Sequence, residues 1–272
     1  MANVLDILRL TPKTNCGECG FPTCMAFCVG VTTGQASLDK CPYIDKAILK
    51  EKGLLEDKSA AQQEIKGIDP DTALLKELKS KVKKIDLGSR AEGLGAELIL
   101  LKDGTEGLQF PYLGRKVIVT PKGILDESGK ELDPRDQILL YNYVFFGGKG
   151  PLSGEWVGLE SFPNSVSKVV TLRKYTEEKL SNHFEGRSKD LIKVCKKIGG
   201  QEIEPCHADV CMKIPVLPKV PIQIHFWDCD KEDGFPAKVK VLFDKRALDF
   251  LDIESLIFSA ERMAETLCHA FG

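Results

Sequence analysis

Five of the ten cysteines in this 272-residue chain lie between positions 16 and 41, and four of them have a spacing that suits metal chemistry. The segment CGECGFPTC, with a later Cys-Pro pair, gives the pattern C-x2-C-x4-C-x16-C-P. Four thiolates can bind the four irons of a cubane, one at each corner. The spacing therefore predicts a [4Fe-4S] cluster whose irons are ligated by Cys16, Cys19, Cys24 and Cys41.

The residues between these cysteines suit a cluster site. Gly17 and Gly20 allow the backbone to approach the cluster closely and to turn its N–H groups toward the sulfurs. Pro22 is well suited to be the first residue of a helix that runs to about Thr33. Cys24 would then lie in the first turn, where the positive end of the helix favours a thiolate.

Two other interpretations of these cysteines are a structural zinc site and a set of unligated thiols. A zinc site normally pairs two C-x2-C units, or one such unit with a pair of histidines. Here there is one C-x2-C unit and no histidine before His183. Cys28 follows Cys24 by one helical turn, so it is a spare ligand, a resolving thiol or, more commonly for such a cysteine, a small buried hydrophobic residue.

The run NCGECGFPTCMAFCVGVTTGQASLDKCP resembles the small [4Fe-4S] domain at the N-terminus of the large subunit of the corrinoid iron-sulfur protein. The resemblance implies that the four motif cysteines bind a low-potential cluster that passes electrons to a corrinoid. Cys28 stands where this family is expected to have a small residue such as alanine. The sequence that follows does not resemble the barrel and corrinoid domains of that family.

The remainder of the chain resembles a different, uncharacterised family of anaerobic bacteria and archaea, in which a cluster domain often comes first. The segments that carry this resemblance are FPYLGRKVIV, DQILLYNYVFFGGKGPLSGEWVGLESFP and LPKVPIQIHFWDCDKEDGFPAKVKVLFD. It implies no particular activity. It favours iron-sulfur redox work in an anaerobe. The link to corrinoid or one-carbon metabolism rests on the resemblance of the small cluster domain alone.

Composition excludes several classes of protein. Charged residues make up 29% of the chain and the net charge is -2, so no basic excess indicates a nucleic acid partner. No apolar run reaches the about 18 residues that a membrane helix needs, and the N-terminus lacks the features of a secretion signal. We therefore expect a cytoplasmic protein in which the cysteines serve metal ligation or thiol chemistry rather than a disulfide framework.

The sequence divides into a cluster domain (1–50), a helical linker (51–84) and a larger α+β domain (85–272) with an antiparallel sheet and packed helices. Pro70 marks a helix boundary within the charged linker. We expect the part before Pro70 to be mobile and the part after it to dock on the larger domain. The apolar residues of the docking face are Leu74, Leu75, Leu78, Val82 and Ile85.

Within the larger domain, turn residues and periodicity predict strands and helices in alternation. Two short strands flank the turn 120–123, and a helix begins at Asp133 and Pro134. Two helices between Thr176 and Ile198 are broken near Gly186. Three strands follow, in VCMKIPVLP, VPIQIHFWD and AKVKVLFD, and a final amphipathic helix runs from about Ile253 to Phe271.

A second metal site is one interpretation of the later cysteines. Its residues would be Cys206, His207, Cys211 and Cys229, with Cys195 as a further candidate. The segment CHADVC has four residues between its cysteines rather than two, and Cys211 alternates as a strand residue. The alternative is that these are buried or incidental thiols.

Other candidate residues have structural interpretations as well. The histidines at 183, 225 and 269 are interpreted as solvated or core residues. The segment 150–162 either lines a pocket, with Tyr141 and Tyr143 nearby in sequence, or turns into a strand anchored by Trp156. The acidic tip at Asp228, Asp230, Glu232 and Asp233 is expected to solvate a hairpin.

Three functions follow from these features. The first is one-electron transfer between a protein donor and a protein acceptor, with a corrinoid protein among the candidate partners and with the small domain moving on the 51–70 linker. The second is a redox enzyme whose larger domain holds a substrate or a second metal. The third is a redox or oxygen sensor in which Cys28 provides thiol chemistry.

Overall fold

A computed structural model describes residues 4–14, 16–21, 23–32, 36–44, 70–148, 150–230 and 232–270. The chain divides into two compact units, Met1–Ile68 and Asp69–Gly272. The linker before Pro70, which we expected to be mobile, lies outside the described residues. In the part of the chain that is described, no helix is both long enough and apolar enough to span a membrane.

The smaller unit contains two short helices, α1 (Val4–Leu8) and α2 (Cys24–Thr32), and a 3-10 turn at Leu38–Lys40. Phe21 packs edge-on against Phe27, with 5.8 Å between the ring centroids. Among the described residues of this unit, the buried core consists of Ile7, Phe27, Cys28, Leu38, Cys41 and Ile44. Small units often need a metal to fold stably.

The larger unit has helices packed on two antiparallel sheets. Its helices are α3 (Pro70–Val82), α4 (Leu87–Leu94), α5 (Pro134–Phe146), α6 (Val166–Leu172), α7 (Glu178–Phe184), α8 (Ser188–Lys197) and α9 (Ile253–His269). One sheet pairs β1 (Glu97–Leu100), β2 (Glu106–Tyr112), β3 (Arg115–Val119) and β4 (Ile124–Asp126) in sequence order. The other contains β5 (Trp156–Val157), β6 (Gln201–Glu202), β7 (Val210–Leu217), β8 (Val220–Trp227) and β9 (Lys238–Asp244), in the order β5-β9-β8-β7-β6. The predicted α+β class is confirmed.

The two faces of the five-stranded sheet differ in burial. Alternate residues of β7, β8 and β9 face the core, and they are Val210, Met212, Ile214, Ile222, Ile224, Phe226, Val239, Val241 and Phe243. The opposite face carries Cys211, Lys213, Gln223, His225 and Lys240, which range from buried to exposed. One face therefore stabilises the fold, and the other presents polar and sulfur-containing side chains.

Most of the predicted elements are confirmed, with three differences. Helix α3 packs in the core of the larger unit through Leu75, Leu78 and Val82, but Leu74 is 41% exposed because it lies to the side of that face. The helical region that we predicted to begin at Thr176 begins at Val166 and passes through a π turn before α7. Helix α4 and strands β1, β2 and β6 were not predicted.

A buried carboxylate at the end of β9 holds the segment that leads into β5. Asp244 is 1% exposed. It accepts hydrogen bonds from the backbone N–H groups of Ser153 (3.1 Å), Gly154 (2.8 Å) and Arg246 (2.9 Å). Burial raises the pKa of Asp244, but these bonds outweigh burial and leave the pKa below its usual value. The segment 150–162 thus forms a turn into an edge strand, where Trp156 is half-buried.

We expect Asp244→Ala to lower the free energy of unfolding of the larger unit by about 2–3 kcal/mol, because three backbone donors lose their acceptor. Urea unfolding followed by circular dichroism measures this change. The matched control is Asp249→Ala, since Asp249 also contacts Arg246 (2.7 Å) but is 42% exposed. The control is expected to cost about 0–1 kcal/mol. Equal losses in the two variants would contradict the importance of the Asp244 bonds.

Candidate functional site

The four motif cysteines occupy three short segments of the smaller unit. Cys16 is exposed and Cys19 is half-buried. Cys19 lies in a tight turn in which the Gly20 N–H donates to the Gly17 carbonyl (2.9 Å). The two glycines have φ of 77° and 83°, values at which other side chains are strained. The turn that we predicted at Gly17 and Gly20 is therefore present.

Cys24 is the first residue of α2 and is 8% exposed. The helix begins there because Thr23 caps it: the Ala26 N–H donates to Thr23 Oγ1 (3.0 Å). The placement of Cys24 in the first turn is confirmed, although the helix starts later than the predicted Pro22, a residue outside the described ones. Cys41 follows the 3-10 turn and is 7% exposed.

Electrostatic interactions connect the motif cysteines with two neighbouring residues, Cys28 and Tyr43. Burial raises the pKa of Cys28, and the nearby thiols of Cys24, Cys41 and Cys19 raise the pKa further. A hydrogen bond to Glu18 (2.8 Å) is the main cause of the raised pKa of Tyr43, to which Cys16 and Cys41 also contribute. Cys24, Cys41 and Cys19 thus act electrostatically on Cys28, and Cys16 and Cys41 act on Tyr43.

This donor set fits an iron-sulfur cluster. All four candidate ligands are cysteines, and a cubane takes one thiolate at each of its four irons. Cys28 is fully buried in the core of the unit, one helical turn after Cys24. It therefore has the surroundings of a small hydrophobic residue.

The residues of the predicted second site have different roles in the structure. Cys206 and Cys211 form a disulfide. His207 is exposed, and its carbonyl oxygen accepts a hydrogen bond from Trp227 Nε1 (3.1 Å). Cys229 is half-buried in the loop after β8. Among the described residues, no three His, Cys, Asp or Glu side chains are grouped so that they could hold a metal ion.

Three other candidates, Cys195, His183 and His269, lie in helices, where they are buried, packed against a ring or exposed to solvent. Cys195 is fully buried in α8, and burial raises the pKa of its thiol to about 12. His183 packs edge-on against Phe184, with ring centroids 4.7 Å apart. His269 is exposed.

His225 has a chemical neighbour that the sequence did not reveal. Its Nδ1 lies 3.6 Å from Cys211 Sγ, and its Nε2 lies 3.1 Å from Gln223 Oε1. Burial and the charge of nearby His207 lower the pKa of His225, so the ring is neutral at neutral pH. The sequence did place Cys211 and His225 in neighbouring strands. It did not give the strand register that sets them opposite each other.

The acidic residues of the β8–β9 hairpin have two roles. Asp230 accepts the backbone N–H groups of Glu232 (2.9 Å) and Asp233 (3.2 Å), as expected for a solvated tip. Asp228 instead accepts the Gly186 N–H (2.6 Å) and the Ser188 hydroxyl, and so connects the hairpin to the loop before α8.

A second feature that the sequence did not reveal is a buried charge network beside an open cleft of about 680 Å³. Asp136 in α5 is 2% exposed and accepts from Tyr112 Oη (2.7 Å) and Arg115 (3.0 Å). Arg262 in α9 binds both of its oxygens, at 2.7 and 2.9 Å. The role of Asp136 was not predicted from the sequence, because its partners are distant along the chain.

Comparison with known proteins shows that the smaller unit is similar to iron-sulfur proteins. Residues 12–43 match a family described as "Putative Fe-S cluster". The chain is 56% identical over 43 residues to the corrinoid/iron-sulfur protein large subunit of Moorella thermoacetica, which is 16% of this chain and 10% of that protein. It is 44% identical over 43 residues to the acetyl-CoA decarbonylase/synthase complex subunit gamma of Methanocaldococcus jannaschii, which is 16% of this chain and 9% of that protein.

A relative of a different kind is a subunit of the ion-translocating oxidoreductase complex of Shewanella loihica, 29% identical over 86 residues, 32% of this chain and 39% of that protein. The matches to the corrinoid and decarbonylase proteins, in contrast, span about a tenth of those proteins. No solved structure matches the chain.

The larger unit has a match of its own. Residues 86–266 match a family described as a domain of unknown function (DUF3786), and this match covers more than half of the 272 residues. The match includes the five-stranded sheet, the Asp136 network and most of α9. By sequence, and with an iron-sulfur motif of the corrinoid type before this region, the chain belongs to the DUF3786 family.

Proposed function

We propose that this protein binds one [4Fe-4S] cluster through Cys16, Cys19, Cys24 and Cys41 and transfers single electrons between protein partners. The observation that carries the proposal is the C-x2-C-x4-C-x16-C-P spacing of four cysteines, within the residues that match the iron-sulfur family. When bound, such a cluster supplies a group that accepts and releases one electron. In this proposal the cluster domain is 1–50, the linker is 51–84 and the domain of unknown function is 85–272.

The side chains of the smaller unit suit electron transfer to another protein. Cys24 and Cys41 are buried, so they would hold the inner side of the group away from water. Cys16 is exposed, which would leave one ligand near the surface, where a partner can approach. The positive φ of Gly17 and Gly20 would let the backbone of this turn approach the ligand sulfurs closely.

The chemical class of the partner is suggested by the relatives. Two are named as subunits of corrinoid/iron-sulfur and acetyl-CoA decarbonylase/synthase assemblies, and one as a subunit of an oxidoreductase complex. We propose a protein acceptor in anaerobic one-carbon metabolism, for which a corrinoid protein is the first candidate to test.

Purification of the full chain without oxygen, followed by metal and sulfide analysis, tests the proposal. We expect about four irons and about four sulfides per chain, and one paramagnetic signal after reduction with dithionite. The reduced protein is then mixed with an oxidised corrinoid protein, and electron transfer is followed by the absorbance of the corrinoid. Zinc at full occupancy, or a cluster that dithionite reduces but no protein acceptor oxidises, would contradict the proposal.

A further inference from the structure

The exposed side of the five-stranded sheet carries a sulfur site that the electron-transfer proposal does not use. Cys211 lies in β7, and its disulfide partner Cys206 lies in the loop 203–209 between β6 and β7. Cys211 is 4% exposed, whereas Cys206 is half-buried. Cys206 is therefore the more accessible of the two cysteines to a reagent, and Cys211 is buried. We propose that Cys206 and Cys211 form a redox-active disulfide that an external dithiol reduces.

The disulfide is not needed to hold its loop in place. The Ile203 N–H donates to the Cys211 carbonyl (3.0 Å) at one end of the loop. At the other end, Asp209 accepts the Asp228 N–H (2.7 Å). Within the loop, the His207 carbonyl oxygen accepts a hydrogen bond from Trp227 Nε1. A cross-link between residues only five positions apart also stabilises less than one that closes a long loop.

The surroundings also suit the reduced form. The Cys206 sulfur lies 3.1 Å from the Ala208 carbonyl oxygen, which would accept a hydrogen bond from a thiol at that position. The Cys211 sulfur faces His225 Nδ1 at 3.6 Å. Because Gln223 Oε1 accepts from Nε2, the proton of the neutral ring lies on Nε2, and Nδ1 carries the free electron pair. Each thiol therefore finds an acceptor already in position.

The reaction balances as a thiol–disulfide exchange. A thiolate of the dithiol attacks the accessible Cys206 sulfur, the Cys206–Cys211 bond breaks, and Cys211 leaves as a thiolate that gains a proton. The second thiolate of the reductant then attacks the reductant sulfur that is bonded to Cys206. The reductant closes its own disulfide, and Cys206 leaves as a thiolate that gains a proton. The protein gains two electrons and two protons, and the dithiol becomes a disulfide. In the reverse direction, the Cys211 sulfur attacks the Cys206 sulfur of the mixed disulfide. His225 would hold the Cys211 thiol in place for this attack and accept its proton.

Dithiothreitol as the dithiol tests this proposal on the full-length protein. The native protein is equilibrated without oxygen at several ratios of reduced to oxidised dithiothreitol, alkylated in the folded state with an excess of N-ethylmaleimide at neutral pH, and mapped by mass spectrometry. We expect Cys206 and Cys211 to gain and lose the label together and reversibly, while buried Cys195 is unlabelled when the alkylation is carried out on the folded protein. A disulfide that is reduced only in denaturant, or that does not form again with oxidised dithiothreitol, would overturn the proposal.

A variant at His225 tests the role of its ring. His225→Asn keeps a side chain of similar shape but cannot take up the thiol proton, so the disulfide should form again about tenfold more slowly. Cys268→Ser is the control, because it removes a half-buried thiol from α9, and its rate should not change. Thermal unfolding of His225→Asn checks that the variant folds. An unchanged rate in a folded variant would reject His225 as a positioning residue. The peptide map reports on these cysteines alone, so its result is independent of the cluster proposal.

Discussion

Replacing both Cys24 and Cys28 with alanine is expected to reduce bound iron from about four atoms per chain to fewer than about one. Cys24 is the ligand that the first turn of α2 presents, and its side chain is 8% exposed. Cys28 lies one turn further along, and its pKa is raised by burial and then by the thiols of Cys24, Cys41 and Cys19. The double variant is needed because Cys28 would be available to replace a missing ligand.

Two single variants define the ligand set. Cys28→Ala should retain the full iron content, because we assign Cys28 to the core and not to the cluster. Cys24→Ala should lose most of its iron, and any iron that remains should disappear in the double variant. Iron analysis and the signal of the dithionite-reduced protein measure both effects. If Cys28→Ala loses iron as completely as Cys24→Ala does, the assignment of the four ligands is wrong.

Iron loss should also unfold the smaller unit. Among the described residues of this unit, six form the buried core, and two of them are cysteines. Binding of the metal group would thus contribute most of the free energy of folding of this unit. Limited proteolysis of the double variant should therefore cleave within 4–44 while leaving 70–270 intact. Resistance of both parts would show that the apolar core suffices.

The largest stability effect in the larger unit is expected from Asp136→Ala, at about 3 kcal/mol. This carboxylate is 2% exposed and neutralises Arg262, which is 16% exposed. Arg262 also contacts Glu265 (2.5 Å), so it keeps one negative partner in the variant. The loss of unfolding free energy should therefore lie at the lower end of what breaking a buried ion pair costs. Tyr112 Oη would lose its acceptor as well. Urea unfolding of the variant measures the change.

A matched control is Glu155→Gln, which removes one charge from an exposed ion pair. The Glu155 and Lys245 side chains are 66% and 60% exposed and lie 2.9 Å apart. This variant should cost about 0–1 kcal/mol. If Asp136→Ala were as mild as the control, the buried network would not stabilise the fold.

The same network predicts how stability depends on pH. Burial raises the pKa of Asp136, but hydrogen bonds from Arg262 and Tyr112 and the charges of Arg262 and Arg115 outweigh it, so the pKa lies below its usual value of 3.8. A carboxyl with a lowered pKa in the folded state stabilises the fold above its unfolded pKa. That contribution is lost as the pH falls through the folded pKa. Below about pH 4 the wild type should therefore lose stability more steeply than Asp136→Asn.

The sequence alone predicted the local structure around the motif cysteines well, because that structure depends on neighbouring residues. The glycines of the first turn, the start of α2 and the return to Cys41 all lie within a short stretch, so spacing and turn chemistry define them. The strands β7, β8 and β9 were predictable for a similar reason, since each has its own apolar pattern. The start of the helical region before Gly186 was not, because α6 has exposed apolar residues such as Val166 and Val170.

Only the tertiary structure determined which distant residues meet. Asp136 and Arg262 are 126 positions apart, and Ser153 and Asp244 are 91 apart. Cys211 and His225 lie opposite each other because of the β7–β8 register, and a shift of one residue would turn one of them toward the core. Local patterns thus determined the candidate cluster ligands and most elements, since neighbours in sequence set turns and caps. Packing of the sheets and helices determined the charge network and the disulfide site, because burial and register depend on the whole fold.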